Sequence, residues 1–202
     1  MNTPSKFLTG EESYSAYGIY NISSPLVAAP PSEKRVGLTA YHVLSTAPYM
    51  HKNFDKPYEL GDFELITARL SAMAWRKYNG EIYLVTDETG EEYIRSLGIE
   101  NDWNGIIPIL DLYNGGIDPG RFWASGKILA LGELRAPCTI IDLDLIVWKP
   151  LDLSDTALAV MHIEHIDAMV YPNPEIFILS KNYNFNPQWD FSVEPLNTAF
   201  LY

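Results

Sequence analysis

Two aspartates separated by a single residue, Asp142 and Asp144, interrupt an otherwise apolar run from Pro137 to Leu151. Side chains alternate along a strand, so this spacing projects both carboxylates from one face while Leu143 and Leu145 project from the other. Carboxylates that close repel each other, and one tends to keep a proton. A bound Mg2+ or Mn2+ removes the conflict, because hard cations take oxygen ligands and bridge to substrate phosphates. An arbitrary Asp-X-Asp is more often a strand end with two solvated aspartates. Here the flanking residues read as a buried strand, where unpartnered carboxylates are expensive, and that favours the metal.

Other chemically able residues carry less. His162 and His165 flank Glu164 and precede Asp167, in the outline of a metal cluster. The segment 161–166 alternates, so an extended chain places the two histidines on opposite faces, and a solvated strand or loop is the expectation. His42 and His51 read as loop or strand-end residues. Cys138 is the one cysteine, in an apolar stretch. That predicts an ordinary buried thiol and a reducing compartment. Asp190 and Glu194 are available carboxylates, but no base or nucleophile stands out, so the catalytic residues are left unassigned.

The elements that must position the aspartates follow from periodicity. Residues 1–35 show no sustained pattern and contain Pro25, Pro30 and Pro31; they read as an arm or linker. Val36 to Ser45 is an apolar run suited to a buried strand. Ile66, Leu70, Met73, Ala74 and Tyr78 then recur at the spacing of one helical face, with Asp62 as N-cap and Asn79-Gly80 as the stop. A strand over 81–87, a short helix over 91–97 ended by Gly98, and a strand over 106–110 come next. Asp118-Pro119 opens a helix running to about Leu134, as cap and first residue. The strand 139–148 follows, with weaker strands at 158–161 and 176–179. Strands alternating with helices predict an α/β protein with a mostly parallel central sheet flanked by helices. Ligands bind such sheets beyond the carboxyl ends of the strands. Ser45-Thr46, Thr86-Asp87 and Asp142-Asp144 fall at such ends.

Composition narrows the partners. The chain has 202 residues, 47% hydrophobic and 20% charged, a globular balance. Its net charge of −12 repels phosphate backbones and anionic lipid, so nucleic acid and membrane surfaces are poor partners. A small phosphorylated ligand is still admissible, because a local cation and a bound metal reverse the field within a cleft. No stretch approaches the ~20 apolar residues that cross a bilayer, and the first ten residues lack a signal-peptide pattern. A cytoplasmic location is the expectation.

Three motifs in order carry a resemblance. Leu84-Val85-Thr86-Asp87 ends one strand. Phe122-Trp123-Ala124-Ser125-Gly126-Lys127 leads the next helix. Asp142-Leu143-Asp144 is followed by Trp148-Lys149-Pro150-Leu151. Over roughly Val36 to Leu151 the chain resembles the nucleotide-sugar-binding half of GT-A type glycosyltransferases. It is most similar to a little-characterised bacterial branch, and more distantly to glycogenin-like enzymes. The resemblance implies a Rossmann-like GT-A domain over 36–202 and a metal-dependent transferase using a nucleotide-diphosphate sugar, a UDP-sugar first among them, with an unknown acceptor. It implies that Asp144, with Asp142, contacts Mn2+ or Mg2+ on the donor diphosphate, and that Lys127 approaches a donor phosphate as a compact charge. The alternative for Lys127 is a surface lysine on an amphipathic helix. Thr86 and Asp87 would lie near the nucleoside and Ser45-Thr46 in the loop after the first strand; strand-end capping is the alternative for both pairs, and the preferred reading for Ser45-Thr46. Trp123 reads as a core residue rather than a sugar platform.

The family's third metal ligand and acceptor residues lie well past the Asp-X-Asp strand. The ending Leu196-Asn197-Thr198-Ala199-Phe200-Leu201-Tyr202 looks cut inside an element. A non-catalytic or truncated nucleotide-sugar-binding module is therefore the alternative. An aspartyl-phosphate phosphatase, whose first motif is also Asp-X-Asp, fits less well, because that motif normally opens its domain.

Overall fold

A computed structural model describes residues 20–22, 37–113, 117–166 and 192–202. They form an α/β fold whose seven strands are β1 (Tyr20–Ile22), β2 (Ala40–Leu44), β3 (Ile82–Thr86), β4 (Gly105–Pro108), β5 (Thr139–Ile141), β6 (Leu158–Ile163) and β7 (Leu196–Leu201). The helices are α1 (Ala47–Lys52), α2 (Asp62–Tyr78), α3 (Glu88–Ser96) and α4 (Ser125–Glu133). One sheet holds all the strands in the order β1-β6-β7-β5-β2-β3-β4.

The sheet is mixed rather than mostly parallel. β4, β3, β2 and β5 pair in parallel, whereas β7 runs antiparallel to both β5 and β6, and β1 antiparallel to β6. The antiparallel pairings involve the three-residue strands β1 and β5, too short for a period-2 pattern to stand out. β1 falls inside the segment read as an arm, and the weak strand expected at 176–179 lies outside the described residues.

Strand alternation sorts the core into two layers. Ala40, Leu44, Ile82 and Leu84 face one way, into a cluster with Ala68, Ala72 and Trp75 of α2 and Ile94 of α3. Val85, with Tyr41 and Val43, faces the other way, toward Ala130 and Leu129 of α4. Trp75 is fully buried, and its Nε1 donates to Leu38 O and Glu81 O, tying the end of α2 to the entries of β2 and β3.

Helix α2 lies where the periodicity places it but presents a different face. Its buried residues are Thr67, Ala68, Ser71, Ala72, Ala74 and Trp75. Of the expected core positions, Ile66, Leu70 and Met73 are 56%, 40% and 53% exposed, and only Ala74 is buried. Small residues let the helix lie close to the sheet, with one tryptophan as the large anchor, so the most hydrophobic stripe is not the packed one. Gly61, not Asp62, is the N-cap, and Glu64 closes the first turn by accepting from Gly61 N. At α4 the Asp118-Pro119 pair opens a turn, with Arg121 N and Phe122 N both donating to Asp118 O, and the helix begins only at Ser125.

The ends of β2 and β3 are locked together by Asp87. Its carboxylate, 5% exposed, accepts from Thr46 N at 2.7 Å, Thr46 Oγ1 at 2.9 Å and Gly90 N at 2.9 Å, the last as the N-cap of α3. Removing it leaves buried donors unpaired and uncaps a helix. Asp87→Ala is therefore expected to cost about 2 kcal/mol, read as a lower urea midpoint at an unchanged m-value.

Candidate functional site

The parallel half has its topological switch point between β2 and β5, where a crevice is expected beyond the carboxyl ends of the strands. From β2 the chain builds outward to β3 and β4 on one side, then returns to lay β5 on the other, so the order reverses there. In open α/β sheets the carboxyl side of such a switch point is where ligands lodge. Ser45 follows β2 and Asp142 follows β5, one on each side of the crevice.

Asp142 and Asp144 stand in a turn, not on a strand. β5 stops at Ile141, Asp142 N donates to Ala199 O of β7, and Leu145 N donates back to Asp142 O at 3.0 Å. Strand alternation therefore does not set the direction of the two carboxylates; the turn does. The apolar residues beyond it, Leu143, Leu145 and Val147, pack into the core from irregular chain.

Lys127 comes to this turn from the first turn of α4. Its Nζ lies 2.5 Å from Asp142 Oδ1 and donates to Thr198 O at 3.0 Å. The approach depends on Gly126, where a Cβ would come within 2.7 Å of Ser45 Cβ. The helix start thus sits directly against the end of β2, with the lysine side chain only 22% exposed. Lys127 is not a free surface lysine. Asp144 is exposed and has no hydrogen bond or ion pair among the described residues.

The turn is held from behind by a buried relay. His42 is fully buried at the centre of β2, not at a loop or strand end as its sequence context suggests. Trp103 Nε1 donates to His42 Nδ1 at 3.0 Å, His42 Nε2 pairs with Ser71 Oγ at 3.0 Å, and Ser71 Oγ donates to Leu145 O at 2.5 Å. A tryptophan can only donate, so His42 carries its proton on Nε2 and the donors run in one direction to the carbonyl three residues past Asp142. Burial lowers the His42 pKa to about 3, which keeps the ring neutral.

The other expected contacts divide. Thr86 is fully buried and its Oγ1 donates to Leu44 O. With Asp87 and Thr46 engaged as above, these three spend their polar atoms on joining β2 to β3. Ser45 is half-buried beside Gly126 at the crevice. Trp123, read as core, is 76% exposed, because α4 starts two residues later and the preceding turn lies on the surface. His51 lies on α1, 3.9 Å from Asp118. Burial pushes the Cys138 thiol up, in keeping with an unreactive cysteine.

At the same carboxyl edge Asn197 Nδ2 donates to Glu164 Oε1, His162 Nε2 lies 3.6 Å from that oxygen, and His165 pairs with Glu194. Asp167 and Asp190 lie outside the described residues. Among the described residues no three His, Cys, Asp or Glu side chains gather to hold a metal. A Mg2+-type site needs only one or two carboxylates when substrate phosphates complete the shell, so Asp142 and Asp144 fit such an ion together with a diphosphate. An open depression of about 450 Å3 lined by Arg76, Glu81 and Asn104 lies instead at the amino ends of β2 and β3.

Comparison with protein-family models, with curated proteins and with solved structures finds no match in any of the three. Among the described residues no helix is long and apolar enough to cross a membrane.

Proposed function

We propose that this chain is a metal-dependent glycosyltransferase of the Rossmann-like GT-A kind, binding a nucleotide-diphosphate sugar in the crevice between β2 and β5. The observation that supports this best is the pairing of Lys127 with Asp142, next to an unengaged Asp144, on the carboxyl side of the switch point.

Asp142 and Asp144 would hold a divalent cation, which neutralises charge on the departing nucleoside diphosphate while an acceptor hydroxyl attacks the anomeric carbon. Lys127 exchanges its contact with Asp142 for a donor phosphate oxygen, so one positive charge serves both states. The buried relay through Ser71 holds the turn still while that exchange occurs. Thr46, Thr86 and Asp87 contribute by keeping the floor of the crevice rigid.

The test is isothermal titration of UDP- and GDP-sugars, with and without Mn2+, into wild type and Asp144→Ala. Metal-dependent binding that disappears in the variant is the expected result, followed by sugar transfer or donor hydrolysis. Binding without turnover would reduce the protein to a nucleotide-sugar-binding module. A folded protein that binds no nucleotide sugar would remove the donor site altogether.

A further inference from the structure

The most hydrophobic stripe of α2 points away from the molecule. Phe63, Ile66, Leu70 and Met73 are 76%, 56%, 40% and 53% exposed, while the buried residues of the helix lie on the other side. Spaced at three and four residues, they form one continuous ridge that ends at Lys77. Together they present roughly 400 Å2 of apolar surface, within the range of the largest patch on a typical monomer, which is often functional.

The charges along the helix say what kind of surface fits. Exposed Glu59 and Asp62 stand at its amino end, and exposed Arg76 and Lys77 at its carboxyl end. A helix dipole accounts for the sign of those charges but not for the ridge between them. A second copy of α2 laid antiparallel sets acid against base at both ends and ridge against ridge in the middle. A parallel copy sets like against like. Arg69, on the flank nearest the middle, is already neutralised by Asp102 at 2.6 Å, so two copies meet there without bare repulsion.

We propose that α2 is the contact of a two-fold homodimer, in which two chains pack this helix antiparallel with the axis near Leu70. Leu70 then meets its own counterpart, Ile66 meets Met73 of the other copy, and Lys77 reaches past Phe63 to Asp62. Such a contact is isologous, as closed dimers require. With its flanking residues it buries about 1,000 Å2 in total, the lower bound for a specific interface. The ridge is on the opposite side of α2 from Ser71, so the dimer leaves the crevice open.

Sedimentation equilibrium over a concentration series decides it. Wild type is expected to dimerise reversibly, and Leu70→Glu and Met73→Glu to stay monomeric with unchanged circular dichroism, since both positions are exposed. Asp62→Lys and Lys77→Glu should each weaken the dimer about tenfold by placing like charges at both ends. The double variant, which reverses both ends, should recover most of the wild-type affinity. A monomeric wild type, a dimer indifferent to Leu70→Glu, or a double variant weaker than either single one would overturn the proposal.

Discussion

Lowering the pH from 7 to 4 is expected to remove about 3 kcal/mol of folding stability through His42 alone. Burial holds its folded pKa at about 3, against 6.5 for the free side chain. The unfolded chain therefore binds a proton over this range that the folded chain refuses. The contribution is fully present above pH 6.5 and is lost progressively as pH falls toward 3, so its sign is that of acid destabilisation. Protonation in place is obstructed chemically as well, because a charged ring would turn Nδ1 into a second donor facing the Trp103 N–H. Other groups of the protein respond to the same change of pH in both variants, so the measurement is a difference. Urea unfolding of wild type and His42→Gln is compared at pH 7, 5.5 and 4. The advantage of wild type should shrink by about 3 kcal/mol across the series. A difference independent of pH would mean that the ring is not held neutral.

The parallel half of the fold was legible because its strands are continuous apolar runs punctuated by polar ends. β2 and β3 fall within the segments predicted for them, β4 begins one residue ahead of its own, and most of α2 and α3 lie where expected. What periodicity could not supply is the identity of the packed face. In α2 it selects Ile66, Leu70 and Met73, because hydrophobicity ranks them first, whereas the sheet accepts Ala68, Ser71 and Ala72 because they are small. The same limit appears after β5. Leu143 to Val147 reads as more strand, yet β7 pairs only with Ile140 and Ile141 of β5, and the remaining residues fill the core without a ladder.

The candidate site was half legible for a related reason. Asp142, Asp144 and Lys127 are conspicuous by type and context, and the structure brings Lys127 onto Asp142. His42 is not conspicuous. Its partners lie 29 and 61 residues away in sequence, at Ser71 and Trp103, and nothing local reveals a relay. The helix α1 is equally hidden, a six-residue element in a proline-bearing loop with no buried residue. Contacts between distant residues decide both.

Asp142→Ala and Asp144→Ala should separate two roles that their spacing makes look identical. Each is expected to weaken Mn2+-dependent nucleotide-sugar binding by about 100-fold or more, since a two-carboxylate site has no spare ligand. Their stabilities should differ. Asp142 carries the ammonium of Lys127 at 2.5 Å, and without it that charge, 22% exposed, keeps only Thr198 O. Losing one partner of a partly buried pair is expected to cost about 1–2 kcal/mol, less than for a fully buried pair because water still reaches both groups. Asp144 is exposed and pairs with no side chain among the described residues, so its replacement should change stability by less than about 0.5 kcal/mol. Titration with a UDP-sugar and Mn2+, beside urea unfolding of the same variants, gives both axes. Equal stability losses would mean that Asp144 is held by a partner the ligand-free geometry does not reveal. Loss of stability in Asp142→Ala with donor binding intact in both variants would leave the pair as a structural clamp between α4 and β7, and the metal reading would fall.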